Sequence, residues 1–229
     1  MLSQPKTMPC KAVIFDMDGL LLDSETLSFE TYVETADRFG ITAGFDSYSR
    51  MLGLNMIEGV DVLRSILPAH IDATVFKAEW FTRYNERLAG SVPVKTGVAD
   101  VINWLATCNI PMAVATSSQG EKARDVLDRA GLAAHMLAIT GGNEVVRGKP
   151  APDVYLASIE KLVTLCGITG ADDCVAFEDS EVGVRAALAA GLRVIQIPDL
   201  VPAAKLPSPP FHLIADTLAT GIGWLKINA

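Results

Sequence analysis

In the stretch Val13-Ile14-Phe15-Asp16-Met17-Asp18-Gly19, an apolar run with strand character ends in two carboxylates that are two residues apart. Side chains of an extended segment alternate between two faces, so Asp16 and Asp18 point to the same side. Two like charges at the end of a buried strand repel each other, and a divalent cation or a proton-transfer role would make them tolerable. An ordinary Asp-Gly turn explains the same residues. The stretch alone leaves both interpretations open.

Length and composition are those of a globular protein. The chain has 229 residues, of which 50% are hydrophobic and 20% charged, enough for a core domain with a smaller companion. Its net charge of −8 argues against a nucleic-acid-binding protein, but an anionic substrate could still bind where local cations or a metal ion outweigh that charge.

Cysteine usage and hydropathy indicate the cellular compartment. The four cysteines and three histidines are scattered, which disfavours a zinc site or a disulfide framework. The chain shows no signal-peptide pattern and no apolar run near the roughly 18 residues that span a bilayer. We therefore expect a soluble cytoplasmic protein without a membrane partner.

The spacing of apolar residues divides the chain into two domains. Residues 24–94 carry helical periodicity, including a helix predicted over 71–88 with Val75, Phe81 and Leu88 among its apolar positions. Residues 1–23 and 95–229 carry a first strand followed by alternating helices and strands, which is typical of right-handed crossovers and a parallel sheet. The sequence thus predicts an α/β core, with a doubly wound, mostly parallel (Rossmann-like) sheet, and a small inserted all-helical domain.

Polar residues follow four successive predicted strands, at the edge where doubly wound sheets bind ligands. They are the acid pair at 16 and 18, the hydroxyl run Thr116–Ser118, the lysine of the loop Arg147–Asp153, and the acid pair Glu178–Asp179. Each has an ordinary explanation alone, such as helix capping or a solvated lysine. Together they predict one pocket with metal ligands, an anion cradle and a cation, and oxygen-only ligands favour magnesium.

In this order, the four motifs resemble those of the haloacid dehalogenase-like hydrolase superfamily, over almost the whole chain. The helical insertion directly after the first motif resembles the small cap domain of the branch that includes phosphoglycolate phosphatase and β-phosphoglucomutase. The resemblance implies a hydrolase that acts on a phosphate monoester.

The resemblance also implies catalytic roles at the matching positions. Asp16 would be the nucleophile that forms an aspartyl phosphate, and Asp18 would protonate the leaving oxygen and then activate water. Thr116 and the Ser117 amide would hold the phosphoryl oxygens, and Lys149 would neutralise charge between Asp16 and the phosphate.

The cofactor implied by the resemblance is Mg²⁺. Its ligands would be Asp16, the main-chain carbonyl of Asp18, and Asp179, with Glu178 in support.

Substrate recognition is less determined by the sequence. The candidate phosphate- or substrate-binding residues are Gly19, Ser117, Ser118 and Arg50. The cap segment Arg50–Gly59 begins with mostly apolar residues, so the sequence indicates only a small phosphorylated metabolite as partner, and a monomer or small homo-oligomer as the assembly.

Three other functions agree less well with the sequence. The superfamily's dehalogenases lack the second aspartate, and Asp18 is present here. A β-phosphoglucomutase-like mutase carries a histidine where this chain has Ser28 and basic cap residues where it has Leu52 and Met56, so a phosphatase is favoured over that alternative. In a non-enzymatic phospho-accepting receiver domain the lysine comes last and there is no long helical insert. Here Lys149 precedes the second acid pair, Glu178–Asp179, and a helical insert follows the first strand.

Overall fold

The computed structural model describes residues 8–52, 56–203 and 212–227, and every statement below is confined to them. The strands are β1 Met8–Pro9, β2 Ala12–Phe15, β3 Met112–Ala115, β4 Ala138–Thr140, β5 Cys174–Glu178, β6 Arg193–Gln196, β7 His212–Ile214 and β8 Leu225–Lys226. The helices are α1 Ser24–Arg38, α2 Phe45–Ser49, α3 Met56–Ile66, α4 Ala73–Gly90, α5 Val98–Thr107, α6 Gly120–Arg129, α7 Asp153–Cys166, α8 Glu181–Ala189 and α9 Leu218–Ile222.

The main sheet is six-stranded and parallel, with the strand order β4-β3-β2-β5-β6-β7. The chain moves outward from β2 through β3 to β4, then returns to the other side of β2 and moves outward through β5, β6 and β7. The direction reverses beside β2, and ligands of such sheets bind outside the carboxyl ends of strands at that reversal. The predicted α/β fold with a doubly wound parallel sheet is confirmed.

Burial on both faces explains why β2 is apolar throughout. All four of its residues are completely buried. One face of the sheet carries small side chains such as Ala113 and Ala176, against which α7 packs Tyr155 and Leu162. Small residues in the strands let this helix approach the sheet closely, and its first turn therefore lies beside the carboxyl ends of β2 and β5.

Contacts divide the chain into two compact units, one of residues Met1–Leu22 and Val94–Ala229 and one of residues Asp23–Pro93. The first contains the six-stranded sheet. Its two connections to the insert run side by side, since Leu22 and Val94 form an antiparallel bridge and the amide of Lys95 donates to the carbonyl of Leu21 at 3.0 Å. The insert thus leaves the sheet domain and returns to it at one point.

The second unit is helical and is built around aromatic side chains. The ring of Tyr32 lies 5.3 Å from that of Trp80 and 5.7 Å from those of Phe76 and Tyr48. Helix α2 within it was not predicted. Val75 was expected on the apolar side of the third predicted helix but is 57% exposed, because α4 turns Phe76 and Trp80 inward instead.

No described helix combines the length and the apolar character needed to span a lipid bilayer. The proline-rich stretch 198–210, predicted as a surface loop, lies partly outside the described residues.

Candidate active site

The carboxyl ends of β2, β3 and β5 bring three of the sequence-predicted residues to one edge of the sheet. Phe15 lies opposite Val114 on one side and Phe177 on the other, so the next residue, Asp16, is level with the last residues of β3 and β5. The amide of Asp16 donates to the carbonyl of Phe177 at 3.0 Å. The pairing therefore sets Asp16 between Glu178 and Ala115, the residue that directly precedes Thr116.

Lys149 joins the first and last motifs through two short hydrogen bonds. Its Nζ donates to Oδ1 of Asp16 at 2.5 Å and to Oε1 of Glu178 at 2.5 Å. The side chain of Lys149 is 5% exposed and that of Glu178 is completely buried. Buried ions of this kind are tolerated only when they are paired and hydrogen-bonded.

Tyr155 completes this buried group and was not predicted. Its hydroxyl donates to Oε1 of Glu178 at 2.6 Å, and Nζ of Lys149 lies 5.0 Å from the centre of its ring. The hydroxyl orients the Glu178 carboxylate, and the ring face favours the ammonium group. Its only sequence signal is a tyrosine in the first turn of the helix that follows Lys149.

The electrostatics of this group leave negative charge in excess. Burial raises the pKa of Asp16 to about 8, and the attraction of Lys149 does not fully offset it. Burial alone would lower the pKa of Lys149, but the charges of Asp16 and Glu178 raise it above its usual value. The two carboxylates thus favour the charged form of Lys149, and a further positive charge beside Asp16 would favour its ionised form.

Three carboxylates converge beside Lys149. One oxygen each of Asp16, Glu178 and Asp179 lies within 4.8 Å of the others. Three carboxylates and one lysine carry a formal charge of −2, which a divalent cation would balance. All the donors are hard oxygens, the ligand type that Mg²⁺ prefers, so these residues fit the expected cofactor.

Gly19 permits the close approach of Asp179. Its φ of 83° is in the left-handed region, and a Cβ atom there would lie 2.5 Å from Oδ2 of Asp179. A side chain at this position would be strained and would displace the carboxylate. Gly19, predicted as a phosphate-binding residue, is thus found next to the candidate metal ligands.

Asp18 has an environment different from that of Asp16. It is half-buried, and its Oδ2 accepts a hydrogen bond from Oγ of Ser118 at 2.9 Å. Its carboxylate is not one of the three that converge. The expected contribution of its main-chain carbonyl to metal binding stays a prediction.

The hydroxyl run after β3 forms a compact turn. The amide of Ser118 donates to Oγ1 of the buried Thr116 at 3.0 Å, while Ser117 is exposed. The turn rests on the loop after β4, where the amide of Gly142 donates to the carbonyl of Ser118 at 2.8 Å. A Cβ atom at Gly142 would lie 2.5 Å from the carbonyl oxygen of Ser117, so this support requires glycine.

Two further parts of the sequence prediction concern the helical unit. Arg50 directly follows α2 and is exposed there. The predicted substrate-recognition segment Arg50–Gly59 includes residues 53–55, which lie outside the described residues. The roles of Arg50 and of this segment stay predictions.

Gly183 is a second residue that sequence reasoning missed. A Cβ atom at this position of α8 would lie 1.9 Å from Oε1 and 2.1 Å from Oε2 of Glu178. Helix α8 can pack over the buried carboxylate only because this position has no side chain. Its signal is a glycine inside a predicted helix, five residues after the acid pair begins.

Comparison with known proteins adds independent information. Residues 13–197 match the family described as haloacid dehalogenase-like hydrolase. A phosphorylated carbohydrates phosphatase of Thermotoga maritima is 32% identical over 185 residues, covering 81% of this chain and 83% of that protein. The fructose-1-phosphate phosphatase YqaB of Escherichia coli is 28% identical, covering 81% of this chain and 95% of that protein.

Solved structures with bound phosphate share the fold. A HAD family hydrolase from Deinococcus radiodurans, with bound phosphate and sodium, has a TM-score of 0.74 and 25% identity, covering 96% of this chain and 99% of that one. CbbY from Rhodobacter sphaeroides, in complex with phosphate, has a TM-score of 0.70 and 25% identity, covering 92% and 95% respectively.

Proposed function

Because the chain belongs to the haloacid dehalogenase-like hydrolase family, we propose that it is a magnesium-dependent phosphatase that hydrolyses a small organic phosphomonoester through an aspartyl-phosphate intermediate. The observation that carries the proposal is the buried group of Asp16, Lys149 and Glu178, with Asp179 beside it. Relatives named as sugar phosphate phosphatases support the substrate class.

Asp16 is the proposed nucleophile. One of its carboxylate oxygens attacks phosphorus, the bond from phosphorus to the ester oxygen breaks, and an acyl phosphate forms on Asp16. Lys149 neutralises charge on the attacked phosphoryl group and holds the carboxylate in place through the 2.5 Å hydrogen bond. Asp16, Glu178 and Asp179 would hold Mg²⁺, which would supply positive charge that favours the ionised form of Asp16 and offsets the charge of the phosphoryl oxygens.

Asp18 is the proposed acid and base. It gives its proton to the departing alkoxide, and its carboxylate then takes a proton from water as that water attacks the acyl phosphate. Inorganic phosphate leaves and the Asp16 carboxylate is regenerated. The hydrogen bond from Ser118 to Oδ2 fixes the orientation of Asp18, and the greater exposure of Asp18 suits exchange of its proton with solvent.

The turn Thr116–Ser118 is the proposed anion cradle. The hydroxyls of Thr116 and Ser117 and the amide of Ser117, at the start of the connection to α6, are donors suited to phosphoryl oxygens, while the hydroxyl of Ser118 donates to Asp18. Gly141 and Gly142 allow the loop after β4 to pack closely against this turn. A Cβ atom on either residue would collide with main-chain atoms there.

A sugar phosphate mutase has less support than a phosphatase. The resemblance places a histidine of the mutase branch at position 28, and here that residue is a serine. A mutase must also retain a bisphosphorylated intermediate, and Arg50 is the one cation proposed for the helical unit's recognition segment.

The test is steady-state release of inorganic phosphate from a panel of sugar and other small phosphomonoesters, with and without Mg²⁺. Asp16→Asn should lower kcat by at least about 10⁴-fold, the scale seen when a covalent nucleophile is removed. Asp125→Asn replaces a 68% exposed aspartate of α6 and serves as the matched control, with unchanged activity expected. Near-wild-type turnover by Asp16→Asn would refute the nucleophile, and full activity in EDTA would refute the metal requirement.

A further inference from the structure

Two buried polar side chains, of which one is hydrogen-bonded to Asp179, have no part in the chemistry proposed above. Gln196 is the last residue of β6 and is 1% exposed. His212 is the first residue of β7 and is 6% exposed. Their neighbours on β6, Val194 and Ile195, are completely buried, so an amide and an imidazole stand here among apolar side chains.

The hydrogen bonds of these two residues form a chain that ends at Asp179. Nε2 of Gln196 donates to the main-chain carbonyl of Asp179 at 3.0 Å. Oε1 of Gln196 lies 3.0 Å from Nε2 of His212. Because the amide nitrogen of Gln196 is the donor to Asp179, its oxygen is an acceptor, and the proton of His212 must be on Nε2. Burial lowers the pKa of His212, which favours the neutral ring.

These bonds restrain the segment that carries two of the three converging carboxylates. Before Asp179, the carbonyl of Glu178 accepts from the amide of Ile197 at 2.7 Å. After it, Oγ of Ser180 accepts from the amide of Gly183 at 3.1 Å, which caps α8. Gln196 fixes the peptide between these two points and thereby limits rotation about the main chain from which the Asp179 carboxylate extends.

The main-chain carbonyl of Asp179 needs a donor, but that donor need not be a buried side chain. A main-chain amide or a water molecule would satisfy it without burying an amide side chain, whose own oxygen then requires a buried partner. His212 is that partner. Burying both polar groups costs free energy. A role in metal binding would explain why they are present, since side chains that orient metal ligands raise the affinity of a metal site.

We propose that Gln196 and His212 form a positioning pair that holds Asp179 for cation binding, with Gln196 acting on Asp179 and His212 acting only through Gln196. This inference rests on the proposed function.

The experiment is a calorimetric titration of the purified full chain with Mg²⁺, accompanied by circular dichroism and by kcat and KM for one phosphomonoester. Gln196→Met keeps the side-chain length and removes the donor, and should raise the Kd for Mg²⁺ by about 10-fold or more while the folded spectrum is retained. His212→Phe should raise Kd less, and His212→Gln, whose amide can still donate, should restore it. In the Gln196→Met background, His212→Phe should add no further change.

His135→Phe is the matched control, since His135 precedes β4 at the opposite edge of the sheet, and its Kd should equal that of the wild type. If Gln196→Met does not fold, the contrast between His212→Phe and His212→Gln decides alone. A wild-type Kd in Gln196→Met or in His212→Phe would overturn the inference while leaving the phosphatase proposal intact. A wild-type chain that neither binds Mg²⁺ nor releases phosphate would overturn both.

Discussion

Replacing Gly183 with alanine tests whether the buried Glu178 group depends on the close approach of α8. The added methyl carbon would lie 1.9 to 2.1 Å from the carboxylate atoms of Glu178, well inside the 3.0 Å limit of real contacts. Glu178 or the helix must therefore move by about 1 Å or more. The bonds of Glu178 to Lys149 at 2.5 Å and to Tyr155 at 2.6 Å cannot both survive such a shift.

The expected loss of stability follows from three contributions. Overpacking costs about 1–3 kcal/mol, and weakening hydrogen bonds to a charged group costs about 1.5–3 kcal/mol each. The better helix propensity of alanine returns about 1 kcal/mol. With one of the two hydrogen bonds lost, we expect a net loss of about 1.5–5 kcal/mol and a Tm lower by about 3–20 °C for a chain of this size.

Thermal unfolding followed by circular dichroism measures this change. Gly90→Ala is the matched control, because Gly90 also lies in a helix and a Cβ atom there would meet nothing within 4 Å. It should leave Tm unchanged or raise it slightly. If Gly183→Ala were as stable as Gly90→Ala, the buried carboxylate would not have the packing described here.

Two further predictions concern stability and thiol chemistry. Tyr48→Phe removes a hydroxyl that donates to Oε2 of Glu25 at 2.7 Å, so urea denaturation should give about 1–3 kcal/mol less stability, and an unchanged midpoint would contradict this. Brief treatment of the native protein with iodoacetamide at pH 8 should modify the exposed Cys166 and spare Cys10 and Cys174, because burial raises the pKa of these two thiols to about 11 and about 12. Peptide mass spectrometry would locate the adducts, and rapid labelling of either buried thiol would contradict the packing around it.

The parts of the site that the sequence predicts are those that follow strands directly. Asp16 comes one residue after a continuous apolar run, and Glu178 ends another. In a parallel sheet the carboxyl ends of neighbouring strands meet at one edge, so local pattern and chain order suffice to bring them together. The convergence of Asp16, Glu178 and Asp179 within 4.8 Å agrees with that expectation.

The parts that the sequence does not predict depend on register and helix rotation. Gln196 reaches Asp179 because β6 pairs with β5 so that Glu178 lies opposite Gln196, a pairing that no local pattern encodes. In the helical unit, the sequence predicts Val75 on the buried face of the helix, but the structure buries the next residue, Phe76. The spacing of apolar residues along a helix does not locate its buried face to the nearest residue.

The paired connections at Leu22 and Val94 have a consequence for the evolution of such proteins. Because the insert enters and leaves the sheet domain at a single hydrogen-bonded bridge, its length, helix count and surface can change without any strand of the sheet changing place. After gene duplication, residues 23–93 could therefore be replaced or remodelled as one unit while β2 and Asp16 stay unchanged.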